Sequence, residues 1–382
     1  MPRWRLSTDC TLKRDMLKVA GNLFSLVNPA NSRDEQIDMA RGWVMLLVVL
    51  HHSAFVSQGD VFSLTCQSLI LGFHMPFFFL LNGYLFHLSG SAGKYTFKEY
   101  VRKRIVRLVL PYFIFEFINL ALSYLVIPVL HNHIELGDAM VSIVTCINDK
   151  AGYSGVCNRL WFLPCLFVSD VFAFIILRAT KRKLVLWGAA LAAVGASYAL
   201  HATTGSRLPF TVDTALMGTC FVLIGYCTGA WIQRLTQGNT PARNWATALV
   251  LSIPYAGFVY MNPDLVKMFD NTYGNYACAV IGSMLAYAAV MAAAKAFADA
   301  AACVRSGRVF QFFRKLLLWL GINSLAVFLV HVWLARIFRF TVCSTPPWNL
   351  LIFALTLAVC TPAVNFVCSY MPFLLGVAPK RK

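Results

Sequence analysis

Ten long apolar segments dominate this sequence. They lie near residues 39–58, 64–87, 105–130, 160–177, 184–201, 211–233, 244–261, 275–298, 315–338 and 348–372. A lipid hydrocarbon core takes about 20 helical residues to cross, and each segment is of that order. Backbone polar groups inside lipid must bond to one another, which leaves only helices or closed barrels. These runs are too long and too uniformly apolar for barrel strands. The expected fold is therefore all-α: a polytopic transmembrane helical bundle of about ten spans. Composition agrees, with 59% hydrophobic and 13% charged residues, where a soluble domain carries about a quarter charged. Soluble, disordered, collagen-like and disulfide-stapled classes are excluded.

The formal net charge of +17 has a membrane explanation, and no nucleic-acid partner is expected. Lys and Arg accumulate in loops that stay in the cytoplasm. With the N-terminus inside, alternate loops hold 27 of the 33 Lys and Arg residues and the opposite loops hold 6. This split predicts that both termini are cytoplasmic. Three parts follow: a basic N-terminal arm over 1–37, a transmembrane domain over 38–373 and a basic tail over 374–382. The arm fits either an amphipathic surface helix around Met16 to Leu26 or a solvated coil. The 12 cysteines include no CxxC pair, so no metal is expected. In an oxidising outer compartment Cys146 and Cys157, both in the longest outer loop, can pair.

Ionisable groups inside spans are costly and usually face a cavity or a partner. Asp38, Arg41, His51 and His52 fall in the first segment, His74 in the second, Arg104 and Arg107 at the start of the third, Glu116 further along it, Asp170 in the fourth, and Asn323, Ser324 and His331 in the ninth. His52 lies eleven residues beyond Arg41. On an α-helix that is ~16 Å deeper and close to three full turns. His52 and Arg41 then share one side of the helix, and His51 points away. His74 reaches a similar depth from the other side. A neutral imidazole is cheaper to bury than an ion and can exchange protons near neutral pH. Each of these histidines also fits simple interhelical packing. Arg104 and Arg107, at i and i+3, fit a membrane-surface anchor or a phosphate clamp, because guanidinium forks match phosphate oxygens. Pro76, Pro111 and Pro164 are expected to kink or break their helices.

Five motifs, in order, complete the pattern: Asp38-x-x-Arg41-Gly with Leu50-His51-His52-Ser53; Phe73-His74-Met75-Pro76 through Asn82-Gly83-Tyr84; Arg104-x-x-Arg107 with Pro111-Tyr112; Leu160-Trp161-Phe162-Leu163-Pro164; and Gly321-Ile-Asn323-Ser324 with Val330-His331. Together they resemble the acyltransferase 3 family of membrane proteins, most closely its fucose 4-O-acetylase-like branch. This chain has His51 where Gly is usual, Asn82 where Ser is commoner and Phe328 where Tyr is common. The resemblance implies transfer of an acyl group, by default acetyl, from acyl-CoA to a hydroxyl of a cell-surface carbohydrate or its lipid-linked precursor. It implies a bacterial inner-membrane location, acetyl-CoA as donor substrate, the lipid bilayer as surroundings, and no constraint against a homo-oligomer. Carried onto these positions, His52, Arg41 and His74 are the expected catalytic residues. Arg104 and Arg107 are expected to bind the donor, with Asp38, Trp161, Asn323, Ser324 and His331 in support. The rival reading from the residues is a proton-coupled transporter, which buried histidines and proline-broken helices also suit.

Overall fold

In the computed structural model, the described residues are 34–55, 60–130, 135–147, 160–204, 207–262, 264, 266–303, 307–342 and 348–377. The proposed surface helix at Met16 to Leu26, and Cys157 of the proposed disulfide, lie outside them. The chain runs as α1 (Glu35–Leu50), α2 (Val61–Leu71), α3 (His74–Ser89), α4 (Phe97–Arg104), α5 (Leu110–Leu130), α6 (Leu136–Thr145), α7 (Phe162–Ala179), α8 (Lys183–Thr204), α9 (Val212–Thr236), α10 (Pro241–Tyr260), α11 (Tyr276–Cys303), α12 (Arg308–Ile322), α13 (Ser324–Thr341) and α14 (Trp348–Tyr370). Among the described residues the only β-pairing is an isolated bridge between Lys267 and Thr272. The protein is an all-α polytopic bundle.

Among the described residues, seven helical stretches are long and apolar enough to cross a membrane, or eight when the bent pair α12–α13 is counted as one span. The expected count was about ten. The other two apolar segments are also helices, α1 and α10, but polar residues such as Asp38 and Arg41, or Arg243 and Asn244, dilute their hydropathy. The ninth segment, expected to be one span over 315–338, is instead broken at Asn323, where α12 and α13 meet at 97°. Asn323 supports that corner by donating from Nδ2 to the Trp319 carbonyl at 3.0 Å.

Two crossings of small residues set the core. A Cβ on Gly83 would lie 2.0 Å from the Val222 carbonyl oxygen, and one on Gly225 would lie 2.0 Å from that of Leu80. Thus α3 and α9 touch backbone to backbone. Likewise a Cβ on Gly42 would sit 2.0 Å from the Leu317 carbonyl oxygen, and one on Gly321 would sit 1.8 Å from that of Asp38, which locks α1 to α12. In lipid such close packing replaces the hydrophobic drive as the source of helix association. Around these crossings Trp319, Tyr84, Phe77, Phe79, Tyr287 and Phe221 are fully buried. Large apolar side chains such as Leu184, Leu191, Leu249, Ile253 and Leu350 face outward, as a lipid-facing wall requires.

The prolines, expected to kink or break their helices, stand close to helix starts. Pro76 and Pro164 each sit in the first turn of their helix, α3 and α7, where a missing N–H costs nothing within the helix. The break before α3 leaves carbonyls to satisfy. The Ser283 hydroxyl shares its one hydrogen between the Gly72 carbonyl at 3.0 Å and the Ala279 carbonyl at 2.6 Å, and the Tyr255 hydroxyl donates to that of Leu69. Pro111 follows a π-helical turn over Ile105–Val109, and a second π-turn, His51–Phe55, continues α1.

Candidate functional site

Both π-turns fall where the sequence concentrates its chemistry. Single π-turns inside α-helices are frequent at functional sites. The turn at His51–Phe55 ends against two side-chain amides: Gln67 donates from Nε2 to the Phe55 carbonyl at 2.7 Å, and Asn349 donates from Nδ2 to the Ala54 carbonyl at 3.2 Å. These bonds hold the wider turn, and the α-helical spacing that runs from Arg41 gives way to it at His51, just before His52.

A cavity of about 390 Å³ opens between α1, α3, α4 with its π-turn, α7 and the α12–α13 corner. Asp38, Arg41, Arg104, Arg107 and Ser324 line it, with Asp34 and Asn82. The Arg41 guanidinium lies 3.4 Å from Asp38 Oδ1, one turn earlier. Arg104 is held from three directions. Its Nε lies 3.0 Å from Asp170 Oδ2 and 2.9 Å from the Tyr100 hydroxyl, and its Nη2 donates to Asn82 Oδ1 at 3.2 Å. Asn82 in turn donates from Nδ2 to Asp170 Oδ1. The Asp170 side chain is fully buried, while that of Arg104 keeps 26% of its surface exposed. Sequence reasoning gives Asp170, Asn82 and Tyr100 no role at the site. The signal available is a carboxylate inside an apolar span, which demands a partner.

The inner wall of the cavity is apolar and aromatic. Met45, Val48, Phe78, Phe162 and Phe328 form it. The Phe78 and Phe162 ring centroids are 5.8 Å apart, and those of Phe162 and Phe328 are 5.6 Å apart. The Phe328 ring then lies 6.2 Å from that of His331. Four imidazoles follow in series: His331 to His52 at 5.3 Å, His52 to His51 at 5.1 Å and His51 to His74 at 6.2 Å, centroid to centroid. The structure thus gathers all four histidines, but in a layer beside the arginine-lined cavity. His74 meets His51. His51 is buried and His52 half-buried.

Trp161 and Asn323 stand outside the cavity lining. Trp161 is buried with its ring 6.2 Å from that of Phe162, and Asn323 forms the helix corner described above. Their neighbours Phe162 and Ser324 do line the cavity. Among the described residues no three His, Cys, Asp or Glu side chains are placed to hold a metal ion.

The model of an acyltransferase domain matches residues 34–365, a span that takes in the cavity, the arginines and all four imidazoles. The chain belongs to the acyltransferase 3 family. It is also similar to the nodulation protein NolL of Mesorhizobium japonicum, at 26% identity over 319 residues that cover 79% of this chain and 76% of that protein. No solved structure matches it. Family and apolar helices together make it an integral membrane acyltransferase.

Proposed function

We infer that this protein transfers an acyl group, acetyl in the simplest case, from acyl-CoA to a hydroxyl of an envelope carbohydrate or its lipid-linked precursor. The observation that carries this reading is the adjacency, within an acyltransferase 3 chain, of an arginine-lined cavity and a layer of imidazoles. The cavity walls suit a long donor with a charged head and an apolar arm. Arg104 and Arg107 offer forks to phosphate oxygens. The Met45, Val48, Phe78, Phe162 and Phe328 wall offers an apolar bed for the arm that carries the thioester, pointing toward His52.

His52 accepts the proton of the acceptor hydroxyl as its oxygen attacks the thioester carbonyl. General base work of this kind contributes about 10²–10⁴ in rate. Arg41, held by Asp38, is the group assigned to the charge that develops on the carbonyl oxygen, where losing one donor typically costs about 10²–10³; the ring N–H of neutral His74 is already given to the Ile70 carbonyl. The fixed pose of Arg104 favours recognition, because a guanidinium held in place loses little freedom when an anion binds. Bacterial inner-membrane placement belongs to the same proposal and rests on the family resemblance, while the basic loops set the orientation.

The test is purified protein in detergent or nanodiscs, supplied with radiolabelled acetyl-CoA and a panel of envelope glycans. Label is expected to move to glycan, and His52→Ala at wild-type abundance is expected to stop it. Unchanged turnover in that variant would remove His52 from the mechanism. A failure of the protein to bind acetyl-CoA would instead favour the carrier reading.

A further inference from the structure

We propose that His331 is the partner base of His52: a positioning residue that receives, through His52, the proton released by the acceptor hydroxyl. The inference rests on the reading of His52 as general base.

Three observations carry it. The His331 and His52 rings have centroids 5.3 Å apart and are tilted by 47°, so the two imidazoles are direct neighbours in the layer. His331 Nδ1 lies 2.8 Å from the Val327 carbonyl oxygen, one turn back on α13. A carbonyl accepts and never donates, so Nδ1 carries the hydrogen and the neutral ring presents its lone pair at Nε2. The side chain is fully buried, behind Phe328 on the side of the arginine cavity. A tautomer-fixed imidazole beside a proposed base can orient it as the carboxylate of a hydrolytic triad does, and differs from that carboxylate in taking up the proton itself. His74 has the same bond, Nδ1 to the Ile70 carbonyl at 2.9 Å, but its ring lies against His51, so it does not serve His52 directly.

The proton balance is closed. The acceptor O–H bond breaks and its proton goes to one nitrogen of His52. The proton on the other nitrogen of His52 passes to Nε2 of His331, which becomes an imidazolium stabilised by the Val327 carbonyl at Nδ1. The acceptor oxygen forms its bond to the thioester carbon and the C–S bond breaks. The proton then returns along the same pair to the leaving thiolate. No further reactant is needed.

The experiment compares wild type, His331→Gln and His52→Ala in acetyl transfer from acetyl-CoA to an active glycan, with kcat and KM per folded molecule and a proton inventory in H₂O/D₂O mixtures. Glutamine keeps an amide that can donate to the Val327 carbonyl but supplies no base. We expect kcat to fall about a hundredfold, KM for acetyl-CoA to stay within twofold, and the bowed inventory of two protons in flight to become linear. Packing alone would lower the yield of folded protein and leave kcat and the inventory unchanged, which overturns the proposal. Should His331→Gln fail to fold, the wild-type inventory decides: a bowed curve supports the pair and a straight line refutes it. An inactive His52→Ala beside a fully active His331→Gln sinks the pairing alone. A fully active His52→Ala sinks the His52 reading on which the pairing rests.

Discussion

Removing Arg104 should cost far more than removing its charge partner together with it. The Arg104 Nε to Asp170 Oδ2 distance is 3.0 Å. At an effective dielectric of about 20, two unit charges at that separation attract by about 5 kcal/mol before desolvation is counted. The two ends of the pair differ in burial. Asp170 has no exposed side-chain surface, whereas Arg104 faces the cavity and keeps the Tyr100 hydroxyl and Asn82 as partners. Arg104→Ala therefore strands a buried carboxylate with Asn82 alone, at a cost of about 3–5 kcal/mol. Asp170→Asn leaves the guanidinium partly solvated and should cost about 1–3 kcal/mol. The double variant removes both charges and should recover most of the Arg104→Ala loss, giving a coupling of at least about 2 kcal/mol of the kind that contacting residues show. The assay is reversible unfolding in mixed micelles by titrating denaturing detergent, run as a double-mutant cycle. If Arg104→Ala is as stable as wild type, or the double variant is no better than Arg104→Ala, the buried pair does not hold α4 to α7.

Three further outcomes follow from the same geometry. Gly225→Val would drive a side chain into the Leu80 carbonyl and should cost at least about 1–3 kcal/mol, read as loss of the monodisperse peak in size-exclusion chromatography, whereas Gly188→Val, with nothing within 4 Å of its Cβ, should leave the peak intact. Ser283→Ala removes the donor to the Gly72 carbonyl and should lower stability by about 0.6–2 kcal/mol, measured as a drop in Tm. Phe328→Ala opens the aromatic wall between the cavity and His331; admitting water to a site built to exclude it should raise acetyl-CoA hydrolysis in the absence of glycan, and an unchanged hydrolysis rate would show that the wall does not screen the imidazoles.

Much of this molecule is legible along the chain, and the parts that are not share a cause. The apolar segments mark most of the helices, from Leu110–Leu130 to Trp348–Tyr370, because hydropathy adds up residue by residue. The motif residues Asp38, Arg41, Arg104, Arg107 and Ser324 prove to line one cavity. What escapes is pairing. Asp170 is 66 residues from Arg104, and only the packing of α7 against α4 makes them partners. The corner at Asn323 has no proline to announce it. The π-turns at His51–Phe55 and Ile105–Val109 shift each side chain beyond them, so a spacing argument based on 3.6 residues per turn loses its register there.

The chain alone settles that this is a helical membrane protein of the acyltransferase 3 kind. A backbone in lipid has few ways to satisfy its polar groups, and the ordered motifs leave little freedom of family. Tertiary structure decides which charges neutralise one another and which imidazoles meet. Those outcomes depend on how closely helices approach and which faces they turn, and here both are set by backbone contacts at Gly42, Gly83, Gly225 and Gly321 that no local pattern encodes.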